Sequence, residues 1–430
     1  MKEITYDQLK ETLYYEKLDN GLDVYILPKH GFSKTYATFT TKYGSVDNHF
    51  KVPGKDQVKV PDGIAHFLEH KMFEEEEGGD VFNKFATYGA SANAFTSFDR
   101  TAYLFSSTGN VKENLTTLLD FVQSPYFTEE NVEKEKGIIG QEIKMYDDNA
   151  DWRVYFGLIQ NMYHHHPVQI DIAGTIPSIT EITKDMLYTC YETFYHPSNM
   201  LLFIVGAVEP KEILNLVREN QAKKNYQAQE EIERFFEDEP THVDVPQTIK
   251  EMTVAMPKVM FGYKEKEVGL VGDDLLKREL TTQLVLDILL GQSSNLYQSL
   301  YEEGLINDTF GTDYSGESKY GFSVMGGDTP DPEKLVKMIT EGLEAAKEKG
   351  IETDEFELNR KKKIGSFLRS LNSIEFVANS FTKYKFNGSD LFHIVPTLEQ
   401  ITLADVNNRL RDHIQKEQLS VSIIKPLKRD

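Results

Sequence analysis

The sequence predicts an α+β fold of two tandem homologous domains, each a mainly antiparallel sheet flanked by helices. In each half, strand patterns come first and helix patterns follow, which is typical of α+β folds. Two landmarks recur at similar offsets: residues 128–131 match 353–356, and residues 182–185 match 401–405. The 430 residues are enough for two domains with separate cores.

The first strands are expected near the N-terminus. Residues 13–27 predict a β-hairpin with Asn20-Gly21 as its turn. A further strand pattern runs through residues 37–43. The polar stretch from 44 to 61 is long for a connection, and long loops that lead into a candidate site are often functional.

The next predicted helix carries His66, Glu69 and His70. The two histidines are four residues apart and therefore lie on one helix face, with the Glu69 carboxylate beside them. Two neutral imidazoles plus a carboxylate oxygen or a third imidazole suit a catalytic zinc ion with an open position for water. Glu69 could then take a proton from that water. The alternative is a surface helix with three polar side chains.

Helix-capping residues and turn residues divide the rest of the first half into elements. We expect Asp62 to cap the motif helix, Gly78-Gly79 to end it, and Asp80 to cap a short helix that ends near Gly89. Two strands should follow at 91–98 and 101–107. The remaining predicted elements are helices at 111–123, 129–148, 152–163 and 183–195 and a strand at 200–206.

The predicted helix at 129–148 carries two carboxylates on an apolar stripe. Val132, Glu135, Ile139, Glu142 and Tyr146 recur at spacings of three or four residues. Core-facing carboxylates are costly unless a cation or hydrogen bonds meet them. We therefore expect Glu142 to be the third zinc ligand and Glu135 to be a supporting carboxylate or proton relay. The alternative is that both glutamates lie at the edge of the stripe.

Residues 227–247 predict an acidic linker, because Gln, Glu, Asp and Pro dominate there. This boundary gives a metal-bearing domain at 1–226 and a second repeat at 248–430. At an offset of 225 residues, Arg360 and Phe367 stand where the first repeat has its two helix glutamates. No second His-x-x-Glu-His occurs, so we expect the second repeat to lack metal ligands.

Composition narrows the possible partners and compartments. The net charge of −22 disfavours nucleic acid and anionic membrane surfaces as partners. There is no apolar run of membrane-spanning length, and the N-terminus lacks a hydrophobic signal core. The single cysteine, Cys190, lies in a helical pattern and is expected to be a packing residue. We therefore expect a cytoplasmic protein with no membrane span.

These motifs together resemble the inverzincin peptidases, whose members include pitrilysin, insulin-degrading enzyme and mitochondrial processing peptidase. The chain is most similar to the zinc-binding subunit of two-gene pitrilysin-like peptidases of Gram-positive bacteria. The resemblance implies a zinc metalloendopeptidase that forms half of a clamshell chamber. His66, His70 and Glu142 would bind Zn²⁺, Glu69 would be the general base, and Glu135 would be a supporting catalytic residue.

The resemblance also implies where peptide substrates bind. In the family, a strand after the motif carries an Asn-Ala step that pairs with the substrate, and Asn93-Ala94 matches it. Ala92, Asn93, Ala94 and Phe95 would therefore hold an extended peptide by adding it as a strand to the sheet.

One departure from the family pattern concerns a substrate clamp. Active members usually carry an Arg and, seven residues later, a Tyr, whereas this chain has Tyr301 and then Asn307 or Asp308. The departure suggests a heterodimer with a homologous subunit that lacks zinc ligands but supplies the clamp. Two alternatives are a non-catalytic structural subunit and a zinc-containing peptide-binding module. The triplet at 164–166 could ligate a metal, but three consecutive histidines cannot all converge on one ion from a helix end.

Overall fold

A computed structural model describes residues 1–52, 54–76 and 78–428. The strands in this part of the chain are Lys2–Tyr6 (β1), Glu11–Lys17 (β2), Asp23–Pro28 (β3), Thr35–Thr41 (β4), His49–Lys51 (β5), Val58–Lys59 (β6), Ala90–Thr96 (β7), Thr101–Ser107 (β8), Met200–Gly206 (β9), Glu233–Arg234 (β10), Gln247–Met252 (β11), Lys258–Tyr263 (β12), Gly311–Gly316 (β13), Gly321–Asp328 (β14) and Leu419–Pro426 (β15).

The α-helices surround two larger sheets. They are Ile64–Lys71 (α1), Val81–Thr87 (α2), Val111–Val122 (α3), Glu129–Asp147 (α4), Ala150–Met162 (α5), Ile176–Thr180 (α6), Lys184–Phe194 (α7), Pro210–Gln221 (α8), Gly272–Leu290 (α9), Asn295–Glu302 (α10), Pro332–Lys349 (α11), Thr353–Ser370 (α12), Ile374–Phe386 (α13), Ile394–Gln400 (α14) and Leu403–His413 (α15). Among the described residues, no helix is both long and apolar enough to cross a membrane.

The first large sheet has, among the described residues, seven strands in the order β1-β2-β3-β9-β4-β8-β7. All neighbours are antiparallel except β3 and β9, which are parallel. The predicted hairpin is present as β2 and β3, and Gly21 in its turn has φ of 91°. No strand pairs with the outer side of β7 in the described part of the chain. This free edge lies on the strand that follows the His-bearing helix.

The second large sheet repeats the topology of the first. Its order in the described residues is β11-β15-β12-β14-β13, with β11 parallel to β15 and the other neighbours antiparallel. Each of these strands matches one of β3, β9, β4, β8 and β7 in chain order, in position and in direction. Five helices separate β8 from β9, and five separate β14 from β15, within the described segments. The predicted α+β fold of two homologous domains is confirmed.

The two compact units differ from the sequence repeats, because each contains a helix from the other repeat. One unit comprises residues 1–143, 170–236 and 371–383, and the other comprises 144–169, 237–370 and 384–430. Helix α5 therefore packs on β12 and β15, and the larger part of α13 belongs to the first unit. Local sequence patterns do not reveal this exchange. The boundaries 1–226, 227–247 and 248–430 stay a prediction about the duplicated sequence.

The interval that was predicted as an acidic linker contains ordered structure. Strand β10 pairs with β5 in a small sheet, and Arg234 forms an ion pair with the buried Asp47 at 2.7 Å. Farther along, Glu239 accepts hydrogen bonds from the backbone N–H groups of residues 164–166 at 2.8–2.9 Å. Its carboxylate also pairs with Lys264. Acidic residues in this interval thus fasten the chain to both compact units.

Candidate metal centre

Helix α1 is fixed by its apolar face and by an unusual start. Phe67 and Leu68 are fully buried in the core of the first unit. The expectation that Asp62 caps the helix is wrong. Gly63 occupies the cap position with φ of 87°, and Asp62 instead accepts a hydrogen bond from the Asn48 side chain at 2.7 Å. The helix ends at Lys71, several residues before the predicted stop at Gly78-Gly79.

Helix α4 provides the carboxylates that face α1. Val132 and Ile139 are buried and hold the helix against the core. Glu135 is buried as well, with 5% of the residue exposed. Glu142 lies at the margin of the stripe, with 22% of its side chain exposed. The edge interpretation therefore holds for Glu142 but is wrong for Glu135.

His66, His70 and Glu142 converge on one point, and their ligand atoms lie within 4.8 Å of one another. The His66 Nε2 atom is 3.8 Å from Glu142 Oε1, and His70 Nε2 is 3.5 Å from Glu142 Oε2. Ligand atoms of a tetrahedral zinc ion lie about 3.3 Å apart, given bond lengths of about 2.0–2.1 Å. Two imidazole nitrogens and one carboxylate oxygen at this spacing fit a zinc ion with small side-chain adjustments.

The two histidines have opposite electrostatic environments. Burial, reinforced by the nearby His70, lowers the pKa of His66 to about 3, so its ring stays neutral. Burial also lowers the pKa of His70, but the Glu135 hydrogen bond and nearby carboxylate charges outweigh burial and raise it overall. The carboxylates around His70 therefore favour a cation there. A metal ion can replace that proton, because metal ligands must be deprotonated.

Glu69 is held beside the cluster by a threonine that the sequence analysis missed. The Thr96 hydroxyl donates a hydrogen bond to Glu69 Oε2 at 2.7 Å. Burial raises the pKa of Glu69, and the Thr96 hydrogen bond offsets part of that increase. Thr96 lies two residues beyond Ala94 on the same face of β7, so strand alternation was the signal that could have identified it.

Glu135 supports His70 and is itself in contact with a buried lysine. The His70 Nδ1 atom lies 3.1 Å from Glu135 Oε1. The other oxygen of this carboxylate lies 3.5 Å from Lys71 Nζ. Burial alone would raise the pKa of Glu135, but its bond to His70 and the Lys71 charge outweigh burial and lower it. Sequence analysis missed Lys71, because a lysine at a helix end is usually solvated.

The predicted substrate strand is β7, at the sheet edge. Ala92 and Ala94 pack toward the core, whereas Asn93 is exposed. The Ala94 N–H donates to the Asn93 side-chain oxygen at 2.9 Å, so this amide is not used in the ladder with β8. Phe95 is half-buried. Because alternate residues point the same way, the backbone groups of Ala92 and Ala94 face the free edge.

Other residues that the sequence singled out lie outside the cluster. His164, His165 and His166 donate their backbone N–H groups to Glu239, which explains this triplet structurally. Cys190 is fully buried, as expected for a packing residue. In the described part of the chain, only His66, His70 and Glu142 have the geometry of a metal site.

Comparison with known proteins agrees with this geometry. Residues 58–176 match the family described as Insulinase (Peptidase family M16), and residues 181–363 match the Peptidase M16 inactive domain. The uncharacterized zinc protease YmfH of Bacillus subtilis (strain 168) is 58% identical over 427 residues, which cover 99% of each chain. Another relative at 26% identity, the uncharacterized zinc protease YmxG of the same strain, covers 85% of this chain and 88% of its own length.

Solved structures share the fold. The crystal structure of an M16-like peptidase from Alicyclobacillus acidocaldarius has a TM-score of 0.95 and 42% identity, and the match covers 98% of this chain and all of that one. A Helicobacter pylori protease at 20% identity has a TM-score of 0.81, with 96% and 99% of the two chains covered, and supports the fold alone. Both halves of the sequence, the whole length and the fold therefore lead to one assignment: the chain belongs to peptidase family M16, the insulinase family.

Proposed function

We propose that the chain is the zinc-binding subunit of a metalloendopeptidase that hydrolyses peptides. The observation that carries the proposal is the convergence of His66, His70 and Glu142, with the carboxylate of Glu69 beside them. A structural subunit has no need of three metal ligands together with a buried carboxylate. Relatives that are named zinc proteases support the same activity.

The roles of the side chains follow from their contacts. His66, His70 and Glu142 would hold the zinc ion, which when bound would supply acidification of a water molecule and polarisation of a peptide carbonyl. Glu69 would accept a proton from the attacking water and then deliver it to the leaving amine. The hydroxyl of Thr96 keeps one Glu69 oxygen in place, so that the other can face the water.

The substrate would be an extended peptide that adds to the free edge of β7. Ala92, Asn93, Ala94 and Phe95 would form the docking segment, with backbone hydrogen bonds that accept many sequences. The peptide carbonyl would compete with the Asn93 side chain for the Ala94 N–H. Binding through the backbone favours unstructured peptides over folded proteins.

We further propose that the active species is a heterodimer in the cytoplasm. The position where active relatives carry an arginine is occupied by Tyr301, which is 59% exposed and cannot supply a fixed positive charge. A homologous subunit without zinc ligands would supply the missing arginine and tyrosine. Such a clamp stabilises charge that develops on the scissile carbonyl, a contribution of about 3–4 kcal/mol for one donor.

Co-purification from the native cell, followed by cleavage of an unstructured peptide, tests this proposal. The chain with its partner should cleave the peptide, and a chelator should abolish cleavage. The chain alone should show weak activity or none. Undiminished cleavage by the isolated chain would refute the heterodimer. Zinc binding without any cleavage, with or without the partner, would favour a non-catalytic peptide-binding subunit instead.

A further inference from the structure

Lys71 is a fully buried lysine directly after the second histidine of the motif. Its side chain has no exposed surface. The ammonium group lies 2.8 Å from Glu74 Oε1, 3.2 Å from the Asn131 carbonyl oxygen and 3.5 Å from Glu135 Oε2. Two carboxylates and one carbonyl therefore surround a charge that has been removed from water.

Such an arrangement is uncommon, because a charged ammonium group is rarely buried unless it is paired. Here the pairing connects Lys71 to the metal site through one carboxylate. Glu135 Oε1 contacts His70 Nδ1, while Glu135 Oε2 faces Lys71. With both oxygens engaged, the carboxylate has little freedom to rotate. The His70 ring is thereby oriented with Nε2 toward Glu142.

We propose that Lys71 is a positioning residue of the metal site, which fixes the Glu135 carboxylate so that it orients His70 for metal binding. This inference rests on the proposed metal site and extends it by one residue. Groups that hydrogen-bond to metal-binding histidines set ring orientation and tautomer, and their loss weakens metal binding by about 10–100-fold. Lys71 would act one step farther out, on the acceptor of that hydrogen bond.

A purely structural role is the competing explanation. Lys71 also joins the end of α1 to the start of α4 through the Asn131 carbonyl. In that case an apolar side chain of similar length could replace the lysine, because well-packed apolar residues often substitute for buried ion pairs without loss of stability. The two explanations differ in whether the effect on metal binding depends on Glu135.

The test is a double-mutant cycle on the full chain, prepared metal-free and titrated with zinc and with cobalt(II) as a spectroscopic probe. Lys71→Met should raise the zinc Kd by roughly 10–100-fold and alter the visible spectrum of bound cobalt. In a Glu135→Gln background the same substitution should change Kd less than about threefold, because its route to His70 is already broken. Lys71→Gln, which can still donate to the Asn131 carbonyl, should behave like Lys71→Met.

The control is Lys84→Met, which removes a lysine that is 55% exposed and paired with Glu75 away from the cluster. It should leave the zinc Kd and the cobalt spectrum unchanged. Wild-type zinc affinity in Lys71→Met or Lys71→Gln, or equal losses with and without Glu135, would overturn the role of Lys71. Loss of folding in both single variants but not in the double variant would assign Lys71 to stability alone. If the wild-type chain binds neither metal, the proposed metal site itself fails.

Discussion

Replacing Gly63 by alanine should destabilise the protein and displace the metal site. The residue has φ of +87°, and an added Cβ would lie 2.4 Å from the Ala173 carbonyl oxygen. A left-handed backbone costs a residue with a Cβ about 1–2 kcal/mol. Forcing a carbon into a packed contact costs about 1–3 kcal/mol more. We therefore expect a loss of about 2–5 kcal/mol in the free energy of unfolding.

The assay is urea denaturation followed by far-ultraviolet circular dichroism, with zinc affinity measured on the folded variant. His66 is three residues beyond Gly63, so a shifted helix start should also weaken zinc binding. Gly137→Ala is the matched control, because its Cβ would meet nothing within 4 Å on the exposed side of α4. That change should stabilise the protein by about 0.5–1 kcal/mol. A Gly63→Ala loss below about 1 kcal/mol would refute the steric reasoning.

Three further predictions concern the chemistry of the site and the buried histidines. Glu69→Gln should keep the zinc but lower kcat of the complete complex by roughly a hundredfold or more, and wild-type turnover would exclude a general-base role. Glu135→Gln should raise the zinc Kd by about 10–100-fold in a competition titration, and an unchanged Kd would show that the carboxylate does not orient His70. Burial lowers the pKa of His166 to about 4 and that of His413 to about 3. Unfolded histidines titrate near pH ~6.5, so the unfolded chain binds more protons below that pH, and the free energy of unfolding should fall as the pH drops from ~6.5 toward 4. Urea denaturation across this range measures the decline, and a stability that stays constant down to the carboxyl range would contradict it.

The sequence was informative wherever chemistry depends on local spacing. The four-residue spacing of His66 and His70 places their rings side by side on α1, with centroids 4.6 Å apart. The periodicity of α4 identified Glu142, because a helix stripe can be read without knowing its partner. Strand and turn signals likewise located β7 after the motif. These features are set by backbone geometry within one element, so a single sequence contains them.

Features that depend on packing between elements were not predictable. Gly63 is needed because the Ala173 carbonyl approaches it from a distant part of the chain. Lys71 and Thr96 acquire roles only when α4 and β7 are brought beside α1. The exchange of α5 between repeats also lies outside local pattern, since an amphipathic helix does not specify which sheet it covers.

Zinc stoichiometry tests the central claim most directly. Elemental analysis of the chain purified without chelators should find one zinc per chain, bound through His66, His70 and Glu142. The double variant His70→Ala/Glu142→Ala should fold and contain none. A wild-type chain without stoichiometric transition metal, or a double variant that retains zinc, would contradict the metal site and the peptidase activity derived from it.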